Sequence, residues 1–324
     1  MRVAGVGQPR AIHSFMVAGR ASLWLALAVA FPLIGIACSR GGASSVVATL
    51  AAAPATGTSP AAAAAITATP TPTSTPTKRP PTVVIDPGHG ADEIGAAANS
   101  IVEKESNLEM ALRVERLLAA QGVRVILTRR ADVHANSGPP VTGYTATRLD
   151  LQARIDLANA EQADLFVSIH SNGSTNAADR GIESYYNSSR PFVAQNQALA
   201  SALLRNVIAE LRSGGFDARE RGALDDACLR AFQGRCFPLF VLGPGRETTR
   251  DEAIRRGGDP AALGFAPGQD SITSRATQMP GALIELLFIT NPLDAAILQT
   301  DAAREAMARG IVRGIMERLP EVAR

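Results

Sequence analysis

The chain has 324 residues, a formal net charge of +2 and 4% aromatic residues. A balance this close to neutral excludes the basic footprint of a nucleic-acid-binding protein, so nucleic acid is not an expected partner. The length admits one large domain or two ordinary ones, and with so few aromatics the core must be built from Leu, Ile, Val and Ala.

Residues 1–38 begin with Arg2, Arg10 and Arg20, then run uncharged from Ala21 to Cys38 as ASLWLALAVAFPLIGIAC. Charged residues followed by an apolar run are the pattern of a secretion signal. At ~18 residues the run is at the short end for a membrane span. Ala37 and Ser39 around Cys38 resemble a lipoprotein signal, in which the cysteine is lipidated, although Gly35 stands where Leu is usual. A cleaved signal and an uncleaved anchor are the alternatives. All three place the body of the protein outside the cytoplasm, in the periplasm or cell envelope, and two of them tether it to a membrane.

Residues 39–81 are rich in Ala, Thr and Pro, with almost no charge and little bulk. Such a segment buries too little apolar surface to offset its ordering entropy, so it is expected to be a disordered linker. From residue 82 to 324 the texture changes to that of one folded domain. TVVIDPG reads as a strand, NLEMALRVERLLAAQG as a helix closed by Gly122, and VRVILTR as a strand. Residues 131–146 read as a loop. LDLQARIDLANA sets Leu151, Ile155 and Ala158 on one helical face, and ADLFVSIH is a strand that ends in His170. GIESYYN, FPLFVLG and GALIELLFIT read as strands, and AQNQALASALLRNVIAELR as a helix. Residues 243–279, polar and Gly-rich, read as a long loop of the kind that forms lids or stays disordered. Asn291 and Pro292 open a final helical region as cap and first residue. The alternation predicts an α/β fold: a single domain with a mixed, largely parallel β-sheet flanked by helices on both faces.

Cys228 and Cys236 bracket CLRAFQGRC. Outside the cytoplasm a local disulfide is favoured over two separate thiols. With no other Cys or His nearby, zinc binding by this pair is disfavoured.

Ligands of α/β folds sit beyond the carboxyl ends of the strands. Asp86 and His89 stand at the end of the first strand, and His170, Ser171 and Asn172 at the end of the third. Glu285 lies in an apolar strand, where an unpartnered charge is costly. Glu103 and Glu105 precede the first helix. Two histidines and a carboxylate suffice for a catalytic zinc site that keeps one position for water, and a further carboxylate can move the proton. Each residue alone has an ordinary structural reading, and His134 reads as surface. The combination is more specific, because the chain has only four His.

The string VVIDPGHG, VEKESNLEMALRVERLLAAQG, SIHSN, GIESYY and MPGALIELLFITNP, in that order, resembles the zinc-dependent N-acetylmuramoyl-L-alanine amidases of bacterial cell-wall turnover. The resemblance runs from residue 82 to about 318. It implies a phosphorylase/hydrolase-like sheet, one Zn2+ per chain held by His89, Glu103 and His170, and Glu285 as the catalytic base. It also implies peptidoglycan as substrate. Asp86 and Asn172 are candidates to stand behind the ligands, where one of them can orient a ligand histidine through its other ring nitrogen, or to meet the substrate. Ala91 and Leu287 stand where the family has Gly, and Leu287 is expected to press on the substrate groove. The alternatives are a peptidoglycan-binding protein that has lost catalysis and a zinc carboxypeptidase or other amidohydrolase. With no wall-binding repeat in view, targeting falls to the tether, the loops or a regulatory protein partner.

Overall fold

A computed structural model describes residues 79–323 apart from 229–230 and 233–234. The expected signal or anchor over 1–38, with Cys38, and the linker through residue 78 lie outside the described residues. Among the described residues no helix is long and apolar enough to cross a membrane.

The elements in chain order are β1 (Thr82–Pro87), a hairpin of β2 (Ala97–Ala98) and β3 (Ile101–Val102), and α1 (Glu103–Ala119). Then come β4 (Arg124–Leu127), α2 (Gly143–Ala160), β5 (Leu165–Asn172), β6 (Ile182–Tyr186) and α3 (Val193–Ser213). β7 (Glu220–Asp225), a ribbon of β8 (Ala231–Phe232) and β9 (Arg235–Cys236), β10 (Glu247–Thr249), α4 (Arg250–Arg255) and β11 (Ser271–Thr273) follow. β12 (Gly281–Phe288), α5 (Pro292–Leu298) and α6 (Asp301–Arg318) complete the fold.

The main sheet has the order β4-β1-β5-β12-β6-β7. β4, β1, β5 and β12 are parallel, whereas β6 runs antiparallel to β12 and β7 follows β6. β1 is buried at every position, as a strand covered on both faces must be. One face, with Val83, Ile85, Val167, Ile169 and Ile284, packs on α1, α3 and α6. The other, with Val84, Phe166, Tyr185 and Leu283, packs on Ala158 of α2 and on Val241 and Leu242.

Three segments depart from the sequence reading. FPLFVLG forms no strand: the amides of Leu242 and Gly243 both donate to the Leu239 carbonyl, at 3.1 and 2.8 Å, and close a turn. Pro238 has no N–H for a ladder, and the apolar run instead plugs the sheet's second face. The segment 243–279 carries the antiparallel β10–β11 ribbon and α4. It is bound to α2 by Arg148 Nη2 donating to Thr248 Oγ1 at 3.0 Å and by the Asp259 amide donating to Thr145 Oγ1 at 2.8 Å. Thr248, Ala253 and Phe265 are buried, so the segment is a second layer over α2 rather than a loose lid. Finally, α2 begins at Gly143, inside the stretch expected to be loop.

Leu287 does not face a groove. The register of β12 shifts between Glu285 and Phe288. The resulting bulge turns Leu287, at φ 48°, into the same apolar core as Leu286. The left-handed backbone costs a non-glycine residue ~1–2 kcal/mol. Removing a buried leucine side chain costs ~2–5 kcal/mol. Packing therefore outweighs strain, and Leu287→Gly should lower the midpoint of thermal unfolding even though it restores the residue type usual at a bulge. A midpoint that rises in calorimetry would show that strain dominates.

Candidate metal centre

The site grows from the pairing of β1 with β5. The ladder extends one residue past β1, where the Gly88 amide donates to the Ile169 carbonyl at 2.9 Å. Gly88 thereby lies flat against His170: an added Cβ would sit 2.2 Å from ring atoms Cε1 and Nε2. The turn then reverses, with His89 at φ 61° and Ala91 at φ 52°. Gly88 thus makes room for the histidine of the neighbouring strand.

Glu103 is the first residue of α1 and is 5% exposed, whereas Glu105 points to solvent. The β2–β3 hairpin fixes it. The Glu103 amide donates to the Ala96 carbonyl at 2.9 Å, and the Ala96 amide donates back to Glu103 Oε2 at 2.8 Å. That leaves Oε1 aimed inward, 3.0 Å from His89 Nε2 and 3.0 Å from His170 Nδ1. The two rings meet edge to face, with centroids 4.9 Å apart. One ligand atom from each of His89, Glu103 and His170 lies within 4.8 Å of the others, and among the described residues no further such group of His, Cys, Asp or Glu occurs. Two imidazole nitrogens and one carboxylate oxygen are a donor set for a catalytic zinc. Gly95 completes the cradle, since a Cβ there would lie 2.5 Å from Glu103 Oε2.

Charge is shared unequally in this cluster. For His89, burial works hardest and lowers the pKa, but the charge and hydrogen bond of Glu103, with help from Glu93, win and push it up to about 10. Burial also raises Glu103, yet the two histidines hold it well below the usual carboxylate range. His170 is lowered, first by burial and then by the neighbouring His89 charge. One carboxylate thus favours one imidazolium, at His89 rather than His170.

The other expected residues fall into place differently. Glu285 on β12 is the register partner of His170 on β5 and of Glu183 on β6, so all three point to one side of the sheet. Asp86 reaches neither histidine ring among the described contacts. Its buried carboxylate accepts from Thr128 Oγ1 at 2.6 Å, Ser168 Oγ at 2.7 Å and Arg154 Nη1 at 2.8 Å. Burial raises its pKa, but Arg154 and the two hydroxyls bring the net shift below the ordinary range. Asn172 serves Glu183 instead, donating from Nδ2 to Oε1 at 2.7 Å. Neither side chain reaches a ring nitrogen of His89 or His170 among the described contacts. Cys228 and Cys236 are joined by a disulfide with Cα atoms 4.7 Å apart. His134 bonds Asp92 at 2.6 Å and is not one of the three grouped ligands.

Sequence reasoning missed two arginines. Arg154, 1% exposed, donates to the carbonyls of Pro87 and His89 at 2.8 and 2.7 Å. Arg129 donates to the carbonyls of Pro87, Gly88 and Lys104 at 3.0, 2.9 and 2.7 Å. Together they hold the carbonyls of Pro87, Gly88 and His89, and Arg129 ties that turn to the start of α1. The signal for Arg154 was present: it falls on the same helical face as Leu151, Ile155 and Ala158, where a charge needs a buried partner.

The profile of the family described as N-acetylmuramoyl-L-alanine amidase matches residues 83–317. The N-acetylmuramoyl-L-alanine amidase LytC of Bacillus subtilis is 28% identical over 233 residues, which are 72% of this chain and 34% of that protein. The germination-specific N-acetylmuramoyl-L-alanine amidase of the same organism is 28% identical over 241 residues, 74% of this chain and 80% of the relative. The chain thus spans about a third of the first relative and four fifths of the second. The catalytic domain of CwlV, an N-acetylmuramoyl-L-alanine amidase of Bacillus (Paenibacillus) polymyxa, superposes with a TM-score of 0.50 at 26% identity, covering 75% of this chain and 99% of that one.

A metal ligand must be a neutral imidazole. With its pKa raised, His89 keeps its proton across neutral pH and loses it only as pH rises through about 10. A metal must displace that proton. Zinc titrated into the metal-free protein at pH 7 should release about one proton, and apparent affinity should rise about tenfold per pH unit between pH 7 and 8. Calorimetry in two buffers of different ionisation enthalpy reads this directly. No buffer dependence would show that His89 is already neutral.

Proposed function

The chain belongs to the N-acetylmuramoyl-L-alanine amidase family, and from that premise we propose that it hydrolyses the amide between N-acetylmuramic acid and L-alanine in peptidoglycan, with one zinc ion per chain. The observation that carries the reading is the convergence of His89 Nε2, His170 Nδ1 and Glu103 Oε1 at the carboxyl end of a sheet in which Glu285 stands beside His170. His89, Glu103 and His170 would hold the zinc, which when bound supplies a Lewis acid that acidifies water and polarises the lactyl carbonyl.

Glu285 has the proton work. It takes the proton of the attacking water and returns it to the nitrogen of the departing L-alanyl peptide, so that the C–N bond breaks as an amine leaves. A carboxylate suits that task because it must be ionised at the start and protonated in between. Glu103 cannot share it, since both histidines and the Ala96 amide engage its oxygens. The arginines hold backbone, keeping the His89 turn in one conformation.

The working place is outside the cytoplasm, tethered through the segment over 1–38 by lipid on Cys38 or by the apolar run itself. The charged-then-apolar pattern and the Cys228–Cys236 disulfide support this, because structural disulfides persist in oxidising compartments.

Purified protein should release peptides from peptidoglycan, leaving a lactyl carboxylate on the glycan and a free L-alanine amine on the peptide. Chelation should stop the release. Glu285→Gln should bind zinc normally yet lose turnover by ~10²–10⁴-fold, the range for a positioned acid–base group. Full activity of that variant, or a new carboxylate within the peptide, would contradict the assignment.

A further inference from the structure

The row of residues at the carboxyl end of the sheet does not stop at Glu285. On the next strand Glu183 is its direct partner, and Glu183 is 2% exposed. Its Oε1 accepts from Asn172 Nδ2 and from the Tyr185 hydroxyl, both at 2.7 Å, and its Oε2 accepts from Arg221 Nε at 2.6 Å. Arg221 occupies the register shift between β6 and β7, on the edge strand. Its guanidinium carbon lies 4.8 Å over the ring of Phe288, which follows the bulge of β12.

This arrangement pairs Arg221 with a carboxylate along one edge of its guanidinium only. Burying Glu183 is expensive unless its lone pairs are filled, and here each oxygen has a donor. Arg221 gives only its Nε edge to that carboxylate. Both Nη atoms make no hydrogen bond to the described residues, and the side chain remains 28% exposed. A guanidinium held on one edge and stacked on an aromatic face presents its remaining fork in a fixed direction, the geometry that binds a carboxylate in two parallel hydrogen bonds.

We propose that Arg221, positioned by Glu183 and Phe288, is a subsite for a carboxylate on the peptide side of the scissile amide. The inference rests on the amidase reading above. Glu183 stands two strand spacings from His170, about 10 Å at ~4.8 Å each. The residue after the L-alanine places its α-carboxylate roughly 7 Å from the scissile carbonyl at ~3.5 Å per residue. Arg221 starts one strand further out, on β7, but its side chain turns back to Glu183 and over Phe288 of β12, which shortens that span. The chemical class is therefore a residue that follows alanine and carries a free carboxylate at this distance. Amidation of that group removes both the charge and one acceptor.

The test uses the zinc-loaded full chain and two small substrates, muramoyl-L-alanyl-D-glutamate and its D-isoglutamine counterpart. The wild-type protein should cleave the acid with kcat/KM about tenfold above the amide, mainly through KM, as for a charged hydrogen bond. Arg221→Gln should bring the acid down to the level of the amide. Arg221→Lys, which keeps the charge and loses the fork, should fall between. Equal cleavage of both substrates by the wild type, or a preference that survives Arg221→Gln in a variant of unchanged melting temperature, overturns the subsite while leaving the amidase reading intact. Cleavage of neither overturns the amidase reading, and the subsite with it.

Discussion

A single buried carboxylate oxygen organises the centre. Glu103 Oε1 lies 3.0 Å from one nitrogen of each histidine, while Oε2 is taken by the backbone of the hairpin before it. Burying that charge would be prohibitive without these contacts. Every element nearby can be understood as meeting its requirements. The hairpin orients it, α1 places it at a helix N-terminus where negative charge is favoured, and two strands bring the imidazoles. The same contacts tie metal binding to a proton, because the carboxylate holds one histidine charged until a cation takes its place.

The sheet supplies precision to this arrangement. Parallel pairing of β1 and β5 puts two strand ends side by side, and the missing side chain at Gly88 lets the His170 ring lie against the turn. The turn itself leaves its carbonyls without ladder partners, and Arg129 and Arg154 fill them. Asp86 acts one step further back, as the counter-charge for Arg154 rather than as a partner of a histidine. Across the sheet the same row runs from His170 through Glu285 to Glu183 and Arg221. The proposed metal ligation, proton transfer and recognition of the peptide thus share one line of strand ends.

Much of this was legible in the sequence. Apolar runs marked β1, β5 and β12, and the residues that break them marked the site. Asn291 and Pro292 announced α5, and Asn291 caps it. What could not be read depended on contacts far apart in the chain. FPLFVLG has the composition of a strand, but Pro238 and the Leu239 turn make it a plug beneath the sheet. The segment 243–279 has little internal periodicity because α2, not its own pattern, holds it. Leu287 was expected to press on a groove because it stands where the family has Gly, two residues after Glu285, and the extra residue of the bulge turns it into the core instead. Asp86 and Asn172 stood out in the sequence, yet their partners Arg154 and Glu183 belong to other elements and could not be inferred from spacing.

The proposed chemistry depends above all on His89, Glu103 and His170 holding a metal together. X-ray absorption at the zinc edge of the loaded full chain measures this most directly. The account predicts a shell of nitrogen and oxygen alone at ~2.0–2.2 Å, with the outer-ring scattering of two imidazoles, reduced to one in His170→Ala. A sulfur shell at ~2.3 Å, or an imidazole signal unchanged in that variant, would contradict it.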